Sequence, residues 1–262
     1  MNFSLYKSQL KSNNGVFLGV FGISIFYIAM LILAYSLLPD VANAMDGEMG
    51  AMMREMLSQG ALTFMGMGFF GNIYYFAFVL FLVLKLATKY GSTAATNTTM
   101  SCYLSAPISR TTYISTTAMT ILTTTFVYLL GLYIVGNIAF AIGGYEVNQL
   151  DFIVSMGART YSLFALAAIG FFFSFAFAGS KNASMLAIII PIFIMMIPSL
   201  LSTISADVEW FKWGNPLEWI NLENLVKGNF DWLWLATLGY TAIIAVSFIG
   251  AWRLFKRRNI SI

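Results

Sequence analysis

Histidine is absent from this 262-residue chain, cysteine occurs once, and only 10% of residues are charged. Each shortage excludes something. Without histidine there is no His-based zinc site, no Ser-His-Asp triad and no His-dependent intramembrane protease chemistry. A single cysteine, Cys102, builds no disulfide framework, and its place in an expected cytoplasmic loop reads as a reduced thiol. Soluble domains carry roughly 25% charged residues, whereas here 59% of residues are hydrophobic and the mean hydropathy is +0.79. The chain therefore reads as a polytopic membrane protein with no sizeable soluble domain. The G-x-x-x-x-G-K-[ST] pattern is also missing, and no cytoplasmic segment is long enough for a nucleotide-binding domain, so the chain does not itself cradle ATP.

What is present is a succession of apolar runs, and the fold expected is all-α, a single transmembrane domain over residues 1–262 with six spans. Met1 to Asn14 sets Phe3, Tyr6 and Leu10 on one helical face with Lys7 and Lys11 beside them, which predicts a short helix lying in the interface. No small-residue cleavage site follows the first apolar run, which reads as a retained span over Val16–Leu38 ended by Pro39 and Asp40. Further spans are expected at about Leu62–Leu84, Thr112–Ala141, Tyr161–Ala178, Ala183–Leu201 and Trp232–Trp252. Gly170, Ser174 and Ala178 form a small-residue seam for close helix contact. Gly179-Ser180-Lys181-Asn182 is a tight turn that should make the fourth and fifth spans antiparallel neighbours, and Pro191 and Pro198 weaken the fifth span's hydrogen-bond ladder.

Four segments carry a pattern of their own, three between the spans and one within the third. Val41 to Gln59 repeats Met45, Met49, Met52 or Met53, and Met56 at helical spacing. A thioether stripe is a soft ligand set for Cu(I), but an external helix resting an adaptable apolar face on its neighbours is the better reading. Thr112, Thr116, Thr120 and Thr123 share a helix face, either bonding back to the preceding turn or lining a polar cavity. Asn215-Pro216-Leu217-Glu218 is a helix start with an Asn cap, Pro in the first position and Glu able to reach back, and Gly228 supplies the stop. That helix is too short to span and should lie in the outer leaflet, with Trp210, Trp213 and Trp219 at interface depth. Lys85 to Ser115, finally, is polar and basic with no acidic residue; Pro107 must stop any helix through Met100–Leu104, and Ser109 can cap the next one. It is either a plain basic loop or a short surface helix offering Met100, Tyr103, Leu104 and Ile108 to a cytoplasmic partner.

Charge fixes the orientation expected. With both termini cytoplasmic, the inner segments hold Lys7, Lys11, Lys85, Lys89, Arg110, Lys181, Arg253, Lys256, Arg257 and Arg258 and no acidic residue. Arg54, Arg159, Lys212, Lys227 and all eleven Asp and Glu fall outside. The basic bias is the one that sets topology. Every ionisable side chain falls at or beyond an expected span end. Proton-driven transporters and voltage sensors need charge along the membrane route, so energy for uphill transport should enter from outside the spans.

The order of these elements resembles the ABC-2 type permease family, the six-span membrane subunits of one class of ATP-binding-cassette exporters. The likeness rests on the interfacial N-terminal helix, the loop ending Leu104-Ser105-Ala106-Pro107-Ile108-Ser109-Arg110, the Asn215-Pro216 helix ending at Gly228, and the basic ending Phe255-Lys256-Arg257-Arg258-Asn259-Ile260. The resemblance implies a coupling helix docking into an ATPase, with Met100, Tyr103, Leu104, Pro107, Ile108 and Arg110 as its residues. It also implies external re-entrant helices carrying Asn215, Pro216, Glu218 and Trp219. Members often have an acidic residue and a Gly-Thr pair before the loop's apolar part, whereas this chain reads Lys89-Tyr90-Gly91-Ser92-Thr93.

The function expected is that of an exporter permease in the cell membrane, pairing with an identical or homologous permease and with two copies of a cytoplasmic ATPase that holds ATP and Mg. No cofactor or metal on this chain and no nucleic-acid partner is expected. Asn72, Tyr75, Thr120, Thr124 and Tyr128 are the candidate cavity lining, for an amphipathic or hydrophobic cargo such as a peptide, antibiotic or lipid. The alternatives are an ATP-independent pore, sensor or accessory protein, or a membrane-embedded enzyme using an external pair such as Glu218 and Glu223.

Overall fold

A computed structural model describes residues 2–58, 60–70, 73–96, 108–180, 182–204 and 206–257, without the side chains of 56, 67, 70, 73–76, 96 and 206. These residues form helices and no strands. The long elements are α1 (Phe3–Ala44), α4 (Ile73–Tyr90), α6 (Arg110–Gly143), α7 (Gln149–Ala176), α8 (Ala183–Ser202) and α10 (Leu233–Arg257). Short pieces join them: α2 (Glu48–Ser58), α3 (Ala61–Met65), α5 (Ser92–Thr96) and α9 (Leu222–Val226). Six stretches are long and apolar enough to cross a membrane, the second of them being Ala77–Ala95.

Side-chain contacts set the direction of each long helix. Asn2 reaches Thr116 and Ser24 reaches Tyr128, so α1 and α6 run parallel. Phe152 abuts Gly136, near the loop joining α6 to α7, and these two are antiparallel. Tyr161 bonds Thr241 and Phe175 meets Phe255, so α7 and α10 run together. Leu84 touches Gly170 and Ser174 donates to the Ala87 carbonyl, so α4 runs with α7 as well. The long helices thus alternate, and both ends of the chain lie at the same end of the bundle. That end carries Lys7, Lys11, Lys85, Lys89, Arg110, Arg253, Lys256 and Arg257, while all eleven Asp and Glu lie toward the other.

Several expectations about the elements need correcting. No separate interfacial helix exists: α1 runs unbroken for 42 residues from its cap Asn2. No proline or glycine with positive φ interrupts its first turns, and the face that packs is Leu5, Gln9 and Asn13, with Phe3 left 69% exposed. Pro39 does not stop it either; the helix carries this exposed proline within it and ends at Met45, whose N–H bonds Val41 O. The methionine stripe is consequently divided between the end of α1 and α2, on either side of Gly47 with φ +84°.

The second span is segmented. After α3 comes a π-helical turn, Gly66–Phe70, then α4. A Cβ on Gly66 would lie 2.5 Å from Val226 Cγ1, and the Gly68 carbonyl accepts from Tyr27 Oη. A π turn with glycines lets α9 and α1 close onto this backbone.

The fourth span starts earlier than its hydropathy suggests. Asn148 caps α7 by accepting from Leu150 N, and Asp151 favours the positive end of the helix dipole. Arg159 therefore lies about 15 Å along the helix and not beyond its end.

The external helix is two pieces. Asn215 accepts from Leu217 N as expected of a cap, but only a 3₁₀ turn, Pro216–Trp219, follows. Ile220 is extended, and Asn221 caps a second start at α9, which Gly228 ends with φ +79°.

Other expectations hold. Ser109 caps α6 by accepting from Thr112 N (3.1 Å), α7 and α8 pack as a hairpin, and the seam is real: a Cβ on Gly170 would meet Leu84, the Ala187 carbonyl and Pro191.

Candidate functional site

At the basic end, the two helix ends flanking residues 97–107 are bonded to the rest of the bundle. α4 brings Lys89 and Tyr90 to its last turn. Tyr90 Oη lies 2.6 Å from Asn13 Oδ1 and 3.0 Å from Gln9 O. Lys89 Nζ donates to Ser12 O, Ser12 Oγ and Asn13 Oδ1 at 2.8, 2.8 and 3.2 Å. Both residues therefore grip α1. α6 closes the same knot, because Tyr113 Oη donates to Tyr90 O at 2.7 Å.

Gln9 is buried between these helices and uses both ends of its amide. Its Nε2 donates to Thr117 Oγ1 (3.1 Å) and its Oε1 accepts from Thr120 Oγ1 (2.9 Å). Asn2 N donates to Thr116 Oγ1 and Tyr6 Oη to Thr123 Oγ1. On the other flank, Ser174 of α7 accepts from Ser92 N (3.1 Å) and donates to Ala87 O (2.9 Å), while Ser92 Oγ lies 2.7 Å from Ser184 Oγ of α8. α10 arrives through Phe255, stacked on Tyr113 at 6.3 Å, and Arg110 Nη1 donates to Lys256 O. All six long helices thus meet around the ends of this one connection.

Of the residues expected to couple to a partner, Met100, Tyr103, Leu104 and Pro107 lie outside the described residues, as does Cys102. Ile108 is half-buried against the core and Arg110 opens α6. Asn72 and the side chain of Tyr75 also lie outside the described residues. Thr120, Thr124 and Tyr128 are all buried within the chain. Thr117, Thr120 and Thr124 bond back to the carbonyls of Tyr113, Thr116 and Thr120, and Tyr128 Oη lies 2.7 Å from Ser24 Oγ. The threonine face is therefore a seat for α1. Sequence reasoning missed Gln9, Asn13, Ser92 and Ser184; the available signal was an amide pair four residues apart, in helical register with Leu5.

A separate feature lies on the side of the bundle. Two recesses of ≈ 380 and ≈ 360 Å³ share Leu122, Phe164 and Ile244. They form one apolar groove between α6, α7 and α10, reaching from Ser115 to Leu129 along α6, about 21 Å at the helical rise.

At the opposite end, the broken segment from Asn215 to Val226 is held by the long helices. Arg159 Nη1 donates to Leu217 O (2.8 Å), Tyr240 Oη to Pro216 O (2.7 Å), and Asn215 Nδ2 to Ser199 Oγ (2.9 Å). Carbonyls that no helix satisfies need such partners near a membrane. Glu218 is exposed, and Trp219 stacks on Tyr240 at 5.3 Å and 9°. Among the described residues no group of His, Cys, Asp and Glu could hold a metal ion. No family model, curated protein or solved structure matches the chain.

Proposed function

We propose that this chain is the membrane subunit of an ATP-driven exporter of the kind its sequence resembles, with ATP and Mg handled by two copies of a separate cytoplasmic ATPase. One observation carries the reading: the two ends of the connection between the second and third spans together contact every other long helix, Tyr90 and Ser92 reaching α1, α7 and α8 and Tyr113 reaching α10. A push on that connection displaces the whole bundle and not one hairpin. The surrounding surface is basic and holds no acidic residue among the described ones, which suits the cytoplasmic leaflet. On this reading both termini are cytoplasmic, the protein sits in the cell membrane, and a second permease completes the complex.

The cargo on this reading is amphipathic or hydrophobic. The apolar groove between α6, α7 and α10 supports that class, since it offers hydrocarbon contact and almost no polar surface. Its lining moves with α6, whose first turn is the part that would receive the force.

The test is a complex reconstituted from this chain and whichever candidate ABC ATPase of the same organism co-purifies with it. Ile108→Asp and Arg110→Glu should leave insertion and ATP binding intact but lower export per ATP hydrolysed by roughly tenfold or more, the effect of losing a few docking contacts. Full flux by the chain with no ATPase bound, or unchanged coupling in both variants, counts against the proposal.

A further inference from the structure

The acidic end of the bundle carries a cleft that the exporter reading does not use. It measures ≈ 870 Å³, within the span of about 300–1,000 Å³ usual for small-molecule sites. Three indoles, Trp213, Trp219 and Trp232, wall it, together with the carboxylates of Glu218 and Asp231. Leu235 and Leu238 of α10 continue the wall downward, Leu238 lying about 8 Å below the start of that helix.

The charged side chains that line the cleft itself are both acidic, Glu218 and Asp231. Two neighbouring carboxylates are matched: Glu209 with Lys212 and Glu223 with Lys227, each pair at 2.5 Å. The Lys212 ammonium beside Glu209 holds that carboxyl below the usual carboxylate range. Glu218 and Asp231 are exposed and enter no ion pair among the described residues. The indole faces add negative potential. One of them already has a cation, because Lys212 Nζ lies 5.7 Å from the centre of the Trp213 ring.

The walls are also fixed in place. Trp219 donates from Nε1 to Trp213 O (2.7 Å), stacks on Tyr240, and fills the notch over Gly239. Trp232 has φ +64°, alone in this among the described non-glycine residues. Holding a bulky residue there costs about 1–3 kcal/mol, so something other than backbone preference keeps a tryptophan at that position.

We propose that this cleft binds an amphipathic organic cation, its ammonium group between Glu218, Asp231 and the indole faces, its alkyl tail along Leu235 and Leu238. Carboxylates repel an anion of the same shape. A neutral analogue gains the tail contacts alone. The inference stands whether or not an ATPase drives this chain.

The experiment is calorimetric titration of octyltrimethylammonium into the chain in zwitterionic lipid nanodiscs, with empty nanodiscs subtracted and octanoate and octyl glucoside as comparison ligands. The cation alone should show a saturable site. Glu218→Gln combined with Asp231→Asn should weaken it by roughly tenfold or more, and Trp232→Gly by a similar factor. Glycine suits the positive φ, so Trp232→Gly should keep or raise the melting temperature while losing affinity, which separates binding from folding. Equal heats from octanoate, or unchanged affinity in the carboxylate pair variant, overturn the proposal.

Discussion

Tyr90 illustrates how single side chains hold the basic end together. Its hydroxyl reaches Asn13 and Gln9, its carbonyl takes the Tyr113 hydroxyl, and all three partners are buried. Within lipid, apolar burial does not drive helices together, so such bonds and close packing carry the association. Tyr90→Phe should lower stability by roughly 1–2 kcal/mol, because buried acceptors on α1 lose their donor. Thr125 makes the opposite case. Its hydroxyl is buried with no hydrogen-bond partner among the described residues, so Thr125→Val should leave the melting temperature unchanged or raise it. Thermal unfolding of the two variants in one detergent reads the contrast directly; equal losses in both would mean that burial alone, and not pairing, sets the cost.

Helices in this bundle approach one another where glycine leaves room for an aromatic ring. Gly131 receives Phe21, Gly136 receives Phe152, and Gly250 receives Phe172, at 2.6, 2.6 and 2.9 Å from where a Cβ would sit. Gly136→Leu should force α6 and α7 apart and destabilise by about 1–3 kcal/mol, seen as a lower melting temperature. Adding Phe152→Ala to that variant should recover part of the loss. Element boundaries were legible in the sequence where a local chemical signal set them: Ser109 before α6, Gly228 after α9, and the turn between α7 and α8. They were illegible where packing decided. Hydropathy alone could not place Arg159 inside α7, since its guanidinium is satisfied by the Leu217 carbonyl, far away in sequence. The same holds for the threonine face of α6. Its spacing was readable, but that it receives the foot of α1 and not cargo depends on Gln9 and Tyr6, which lie more than a hundred positions away.

Across the whole molecule, the alternation of long helices gathers all eleven Asp and Glu at one end and leaves the other with basic residues alone among the described ones. In the proposed orientation, with Cys102→Ser as background, Lys11→Cys should react with a membrane-impermeant maleimide only in inverted vesicles, and Asn229→Cys only in intact cells. Labelling of both from one side would break the alternation. α1 adds a mechanical property to this layout. As a continuous helix of 42 residues it is a rod of about 63 Å, roughly twice the hydrocarbon thickness of a bilayer. Near one tip, Gln9 and Asn13 clasp α4 and α6; toward the other, Tyr35 meets Phe64 and Tyr145, and Arg54 of α2 donates to the Ala42 carbonyl. Pinned in this way, one unbroken helix ties the ends of α4 and α6 to the methionine-rich segment on the far side.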